Sequence, residues 1–367
     1  MTDDQDLGVR ALRRVAEIWQ VDKEKSVWSV RSETESEGFD WWPGDFRVRV
    51  RAHRSIEQKH VNTCRLVIRT DFLKGVPITD ERFVSITAQL SRYSTSTYGW
   101  VYPPAPFWKR FDNSGFDHSG LGPTLWFSGS AYVSSDNINW LPDFLAKASI
   151  MQPINAQIQS AVMPEMLGGG VPDMSRPDAL KDAGLDGMLE VAAQIYAPLG
   201  EQPSRWAGTD EFTSFADKWA QCDSCFGFGD PKGMTLETPF GNDSALIKLL
   251  TDQKHPQLGH GLTATLQLPY VGDKIAIANE AAEFNLLESA SWTDFPQLGC
   301  WHSNQNRGDQ EGMAFSLFIP NALHQPGIVT QVAFWFLHRA RWARETKWPK
   351  IVDQTMLEIM TNRLAAK

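Results

Sequence analysis

The spacing of hydrophobic residues predicts the same series of helices and strands twice along the chain. In the first copy, Leu7–Gln20 has apolar residues at helical spacing, and Phe46–His53 alternates polar with apolar residues as a half-exposed strand does. The remaining elements of this copy are expected at Val27–Arg31, Val61–Phe72, Thr79–Tyr93, Thr97–Tyr102, Thr124–Ser134 and Asn137–Ile158. Helices therefore open, divide and close a set of strands.

The second copy repeats this order. Helical spacing recurs at Met188–Tyr196, Glu211–Cys222, Asp273–Trp292 and Ile328–Lys347. Strand patterns fall at Cys225–Phe228, Gly233–Thr238, Leu246–Leu250, Gly261–Tyr270, Pro296–His302 and Gly312–Ile319. The common order is α-β-β-β-α-β-β-α, which predicts an α+β protein built from two tandem units, each an antiparallel sheet packed with helices.

Glycine and proline set the expected domain boundaries. We expect a first unit at residues 1–165, a Gly/Pro linker at 166–180 and a second unit at 181–348, because Gly168-Gly169-Gly170 and nearby prolines interrupt the pattern. An additional C-terminal helix is expected at 349–367. The first copy also contains an aromatic insert at 103–122, which the second copy lacks.

Composition and charge narrow the function classes. A chain of 367 residues with 42% hydrophobic and 22% charged residues has enough apolar surface for two folded domains. A net charge of −9 argues against a general nucleic-acid binder. The sequence contains no apolar run of membrane-spanning length, and the acidic start is unlike a secretory signal, so we expect a cytoplasmic protein without a membrane segment.

The order of elements resembles the type III secretion chaperone fold and its YbjN-like relatives. The positions that carry the resemblance are the element order in both halves, Gly299-Cys300-Trp301 and the strand at Phe315-Ser316. The resemblance implies a non-enzymatic protein that pairs as a homodimer and holds extended segments of a partner on sheet or helix surfaces. Two copies in one chain then imply either an intramolecular pseudo-dimer or a homodimer.

Candidate chemistry is sparse. Cys222-Asp223-Ser224-Cys225 has metal-ligand spacing, which His255 and His260 could complete, but it follows a helix, and two ordinary reduced cysteines fit better. Phe226-Gly227-Phe228-Gly229 is rich in glycine and matches no phosphate-binding loop. The sequence therefore predicts no catalytic residues, no cofactor and no metal.

Aromatic residues supply the candidate binding surface. The chain has 15 tryptophans, and Trp suits both cores and recognition surfaces. Since adjacent strand residues point to opposite faces, Trp41 or Trp42 is expected to point outward. The candidate partner-binding residues are Trp41, Trp42, Trp108, Phe111, Phe116 and Trp301. In the closing helix, Arg339 and Arg341 are expected to oppose the apolar side.

These observations predict a cytosolic protein-binding module, an adaptor or a chaperone-like protein, whose partner is a protein or peptide segment. Open sheet edges suit recognition by strand addition. The alternative is an enzyme or small-ligand binder with a pocket between the two units.

Overall fold

The computed structural model describes most, but not all, of the chain. The described residues are 6–21, 26–30, 36–42, 46–54, 63–73, 99–101, 125–167, 170, 185–222, 225–255, 258–290, 295–305 and 311–347. Several expected segments lie outside these residues. They are the helices at Thr79–Tyr93 and 349–367, the whole aromatic insert, and nearly all of the linker. In the described part of the chain the protein is α+β, as predicted, with antiparallel sheets and helices.

Within the described residues, the first sheet has six strands and three associated helices. Its elements are α1 Leu7–Ile18, β1 Ser26–Val30, β2 Ser36–Trp41, β3 Val48–Arg54, β4 Thr63–Leu73, β5 Gly99–Val101, β6 Leu125–Ser134, α2 Leu141–Ser149 and α3 Met151–Leu167. The strands lie in the order β1-β2-β3-β4-β6-β5, and each neighbouring pair is antiparallel.

The second sheet has seven strands in the part of the chain that the structure describes. The following elements are α4 Leu185–Gly200, α5 Glu211–Trp219, β7 Phe226–Asp230, β8 Gly233–Phe240, β9 Asp243–Leu250, β10 Lys254–His255, β11 Gly259–Gly272, α6 Lys274–Ala290, β12 Cys300–Gln305, β13 Glu311–Pro320, a 3₁₀ turn Asn321–Leu323 and α7 Ile328–Lys347. Six strands lie in the order β12-β13-β11-β9-β8-β7, and β10 pairs with β11.

The two sheets share one strand order. If β10 is set aside, the second sheet reads 1-2-3-4-6-5 in its own numbering, which is the order of the first sheet. Each sheet has four strands before its fifth and sixth. Four were expected at this place in the second copy, but only three in the first. The strand missing from that pattern is β2, whose Gly38 lowers strand propensity. A Cβ at Gly38 would lie 2.0 Å from the carbonyl oxygen of Val50, so the close pairing of β2 with β3 requires glycine.

The helices of the first sheet pack on one of its faces. Trp19 of α1 stacks on Trp41 with ring centroids 5.3 Å apart, and its indole N–H donates to the carbonyl oxygen of Ala146 in α2, 2.8 Å away. Asp6 caps α1 by accepting from the backbone N–H of Gly8 at 2.8 Å. The core of this layer contains Leu12, Val15, Phe39, Val50, Leu66, Ile68, Phe127, Phe144 and Leu145.

The helices of the second sheet also share one face. Four neighbouring strands each place a buried apolar side chain on this face, namely Leu236, Ile247, Ala264 and Leu317. Phe284 of α6 meets Trp301 and Trp342 edge to face at 5.1 and 5.6 Å, which joins α6 to β12 and α7. The aromatic side chains therefore lie mainly inside this layer.

The chain forms two compact units. One consists of Met1–Pro198 together with Asn285–Cys300, and the other of Leu199–Phe284 and Trp301–Lys367. The segment that joins α6 to β12 belongs to the first of them, where Gln297 exchanges two backbone hydrogen bonds with Ser130 of β6, at 2.7 and 3.0 Å. The first unit is thus discontinuous in sequence.

Candidate functional site

β7 lies at the end of the second sheet opposite to β12. It pairs with β8 alone among the described strands. Asp230 and Gly233 face each other across the two-residue turn Pro231-Lys232, and Asp230 Oδ1 accepts from the N–H groups of Lys232 and Gly233 at 2.7 and 3.0 Å. The turn therefore fixes the register of this hairpin.

That register decides which backbone groups of β7 are available. A two-residue turn requires its flanking residues to exchange hydrogen bonds, and bonded and non-bonded pairs alternate along antiparallel strands. Asp230, Phe228 and Phe226 are therefore the residues bonded to β8. The N–H and C=O groups of Gly227 and Gly229 point away from β8, and within the described residues no hydrogen bond reaches them. An extended segment alongside β7 would find four backbone partners.

The side chains of β7 divide between its two faces. Phe226 and Phe228 lie on the face away from α5 and are 53% and 59% exposed, an unusual exposure for two phenylalanines one residue apart. Gly227 and Gly229 face α5, where an added Cβ would lie 2.4 Å from the carbonyl oxygen of Ala216 and 2.6 Å from that of Phe212. The helix backbone thus lies directly against the glycines of β7.

The face of the second sheet opposite its helices, called the open face below, becomes more buried away from β7. One row across the sheet runs from the exposed Phe228 through half-buried Thr235, Lys248 and Thr265 to buried Ser316. The exposed apolar part of this row is therefore confined to the edge.

A histidine–serine contact lies at the buried end of this row. His302 Nε2 lies 2.8 Å from Ser316 Oγ, and His302 Nδ1 lies 2.8 Å from the carbonyl oxygen of Ser303. Because the carbonyl can only accept, Nδ1 carries the proton and Nε2 accepts from the serine hydroxyl. A base beside a hydroxyl is the arrangement of a nucleophile, but Ser316 is only 6% and His302 4% exposed. Burial makes this pair part of the packing between β12 and β13.

The first sheet carries arginines on the face away from its helices. Asp71 joins two of them, with Arg49 Nη2 at 3.1 Å and Arg69 Nε at 2.8 Å, and the guanidinium of Arg69 lies 3.8 Å above the Trp126 ring. Burial lowers the pKa of Arg69 to about 10, against the opposing effect of Asp71. Asp40 likewise contacts Arg51 at 2.5 Å. Carboxylates thus hold these arginines in place, which indicates a structural network.

The tryptophans expected to bind a partner are buried where the structure describes them. Trp41 and Trp42 are 9% and 4% exposed, so the expectation that one points outward is wrong; Trp41 stacks on Trp19, and Trp42 follows the end of β2. Trp301 is 1% exposed and meets Phe315 edge to face. Trp108, Phe111 and Phe116 lie outside the described residues.

Arg339 was expected on the polar side of the closing helix, and this is also wrong. It is 1% exposed, and its guanidinium lies 3.7 Å above the ring of Phe315 and 5.6 Å from that of Phe336. A flat guanidinium can stack on aromatic rings within a core, which hydropathy alone does not reveal. Arg341, in contrast, is exposed and pairs with Glu345 at 2.7 Å.

The cysteines are thiols in this structure. Cys222 is exposed, Cys225 is half-buried, and the N–H of Cys225 donates to the carbonyl oxygen of Cys222 at 3.2 Å. Within the described part of the chain, no three His, Cys, Asp or Glu side chains lie together in a way that could hold a metal ion. His255 is buried instead beside Phe318, and its Nδ1 accepts from the N–H of Leu258 at 3.2 Å.

Sequence reasoning did not identify Phe226 and Phe228 as candidate binding residues. The pattern predicted a strand at Cys225–Phe228 and matched no phosphate-binding loop. The alternation of large and absent side chains in Phe226-Gly227-Phe228-Gly229 is in addition the signal of a strand beside a closely packed helix.

Comparison of the chain with protein-family models gives no match, and comparisons with curated proteins and with solved structures give none either. Among the described helices, none combines the length and the apolar character that crossing a bilayer requires.

Proposed function

We propose that this chain is a protein-binding module of adaptor or chaperone-like type, which takes up an extended segment of its partner as a further strand beside β7. The observation that carries the proposal is the coincidence, at one sheet edge, of backbone groups turned outward at Gly227 and Gly229 with exposed side chains at Phe226 and Phe228. Main-chain hydrogen bonds supply affinity in this mode of recognition, and alternate side chains supply choice.

The size of the surface indicates a weak, reversible contact. An aromatic side chain buries roughly 150–250 Å² in full, so two half-exposed phenylalanines offer about 200 Å², or about 5 kcal/mol at roughly 25 cal/mol/Å². Four backbone hydrogen bonds add about 4 kcal/mol. Association costs at least about 4 kcal/mol, which leaves about 5 kcal/mol and a Kd on the order of 0.1 mM.

The alternation along β7 between amides bonded to β8 and amides turned outward provides a direct test. In protein labelled with ¹⁵N-glycine and ¹⁵N-phenylalanine, the amides of Gly227 and Gly229 should exchange with solvent quickly, and those of Phe226 and Phe228 slowly, because only the latter are bonded to β8. Peptides that bind, selected from a random display library, should slow exchange at the two glycines and shift their resonances.

A matched pair of variants completes the test. Phe228→Lys places a charge at the edge and should abolish peptide binding, whereas Thr235→Lys, on the same face of β8, should leave it within about twofold. Peptides that bind both variants equally well, or that leave the exchange of Gly227 and Gly229 unchanged, would show that β7 is not the binding edge.

A further inference from the structure

We propose that the segment bound beside β7 alternates apolar residues with glycine, alanine or serine, and that α5 imposes this pattern. The inference rests on the proposed function, since it concerns the same edge. It goes further in naming the chemistry of the partner and in excluding a second copy of this chain.

The first step is the position of α5. An added Cβ at Gly227 would lie 2.4 Å from Ala216 O, and one at Gly229 would lie 2.6 Å from Phe212 O, so the axis of α5 runs above β7 itself. An α-helix with its side chains is about 10–12 Å across, and neighbouring strands lie about 4.8 Å apart. The helix therefore extends over the place that an added strand would occupy.

The second step is that α5 is held there. The Trp219 indole N–H donates to the carbonyl oxygen of Glu237 in β8 at 3.0 Å. Phe215 meets Phe334 of α7 edge to face at 5.4 Å. Contacts in the middle and at the C-terminal end of the helix thus oppose any movement that would make room at the edge.

The third step concerns the two faces of the added strand. Side chains on its helix side lie under the flank of α5, near Thr213, whose Cα is 2.9 Å from a Cβ built on Gly229. Large side chains do not fit there. Side chains on the other side lie next to Phe226 and Phe228, where apolar cross-strand neighbours are favoured. The added strand must therefore have the same distribution of side chains as β7, with large side chains on one face and small ones on the other.

The fourth step excludes self-pairing. If β7 paired with β7 of a second copy, the two α5 helices would lie over adjacent strands, about 5 Å apart, whereas packed helices need about 8–10 Å. A partner segment with no helix above it meets no such obstacle. The overhanging helix thus protects an apolar edge from self-association, a hazard of exposed edge strands.

Three fluorescein-labelled peptides with the same flanking residues test the pattern by fluorescence anisotropy. The first has the core Val-Ser-Val-Ser-Val, the second Val-Leu-Val-Leu-Val, and the third the scrambled core Val-Val-Ser-Ser-Val. We expect the first to bind at least about tenfold more tightly than either of the others, although the second is more hydrophobic. A copy of the first peptide that is N-methylated on the amides of one edge should lose binding.

The outcomes separate the two proposals. Equal or tighter binding of the Val-Leu peptide, with exchange protection at Gly227 and Gly229, would overturn the pattern and leave strand addition intact. If no peptide protects these glycines, strand addition itself fails, and the pattern with it. Phe228→Cys in a Cys222→Ser background tests self-pairing: efficient formation of a disulfide-linked dimer would overturn the exclusion of a second copy, and a monomer supports it.

Discussion

Asn321 should be one of the most sensitive single positions of the second unit. It is fully buried in the turn after β13, and its Oδ1 accepts from the N–H of Arg205 at 3.0 Å. Its Nδ2 lies within 3.1 Å of three carbonyl oxygens, those of Leu199, Gln202 and Pro203. One side chain therefore satisfies the backbone of the turn that follows α4.

Asn321→Ala should lower the free energy of unfolding by about 3 kcal/mol. A buried N–H left without an acceptor costs about 1–3 kcal/mol, and the two donated bonds contribute about 1 kcal/mol each. Asn321→Asp keeps the size but places an oxygen against three carbonyl oxygens. This variant should be the less stable of the two at pH 7. It should recover relative to the wild type as the pH falls toward about 4, because burial against carbonyl oxygens raises the pKa of the new carboxylate above its ordinary value and protonation removes its charge.

Hydrogen exchange measured by mass spectrometry on peptides covering residues 199–209 gives the local effect, and urea denaturation gives the global one. Asn242→Ala, at an exposed turn residue of the same unit, is the control and should change the free energy by less than about 0.5 kcal/mol. A loss below about 1 kcal/mol for Asn321→Ala, with unchanged exchange at 199–209, would refute the assigned role.

Three further predictions follow from packing and burial. Gly227→Ala should destabilise the second unit by at least about 2 kcal/mol in urea denaturation, because its Cβ meets helix backbone, whereas Gly200→Ala, with ordinary contacts at 3.5 Å, should be nearly neutral. Burial lowers the pKa of His255 from 6.5 to about 4, so its contribution to stability should be complete above pH 6.5 and lost as the pH falls toward 4; a His255→Gln variant with the same acid-unfolding profile would contradict this. Burial raises the pKa of Cys300 to about 12, so iodoacetamide at pH 8 should modify exposed Cys222 and spare Cys300 until denaturant is added, as peptide mass mapping can establish.

Local pattern predicted most of the elements. Alternation in Phe46–His53 placed β3 within two residues, and helical spacing in Ile328–Lys347 gave α7 with its observed bounds. The hydrophobic pattern gave wrong predictions where a contact between residues distant in sequence decides the local structure or the burial of a side chain. Gly38 lies in a strand because β3 comes close to it, and Arg339 lies in the core because two rings receive its guanidinium.

The site was harder to predict for the same reason. The exposure of Phe226 and Phe228 follows from strand order, since only the last strand of a sheet has an unpaired side, and hydropathy does not give strand order. Trp41 and Trp301 were plausible recognition residues by type, yet both fill the layer between sheet and helices. The abundance of Trp indicated a large aromatic core, but it did not show where a binding surface lies.

The placement of Asn285–Cys300 in the first unit has a consequence for synthesis on the ribosome. The backbone partner of Ser130 is Gln297, so the N-terminal unit lacks part of its sheet edge until some 300 residues have been translated. By then β7 to β11 of the other unit have already been synthesised. The first unit can therefore be completed only after much of the second has been synthesised, and a nascent chain halted at the glycine-rich stretch before α4 would present an incomplete edge to chaperones.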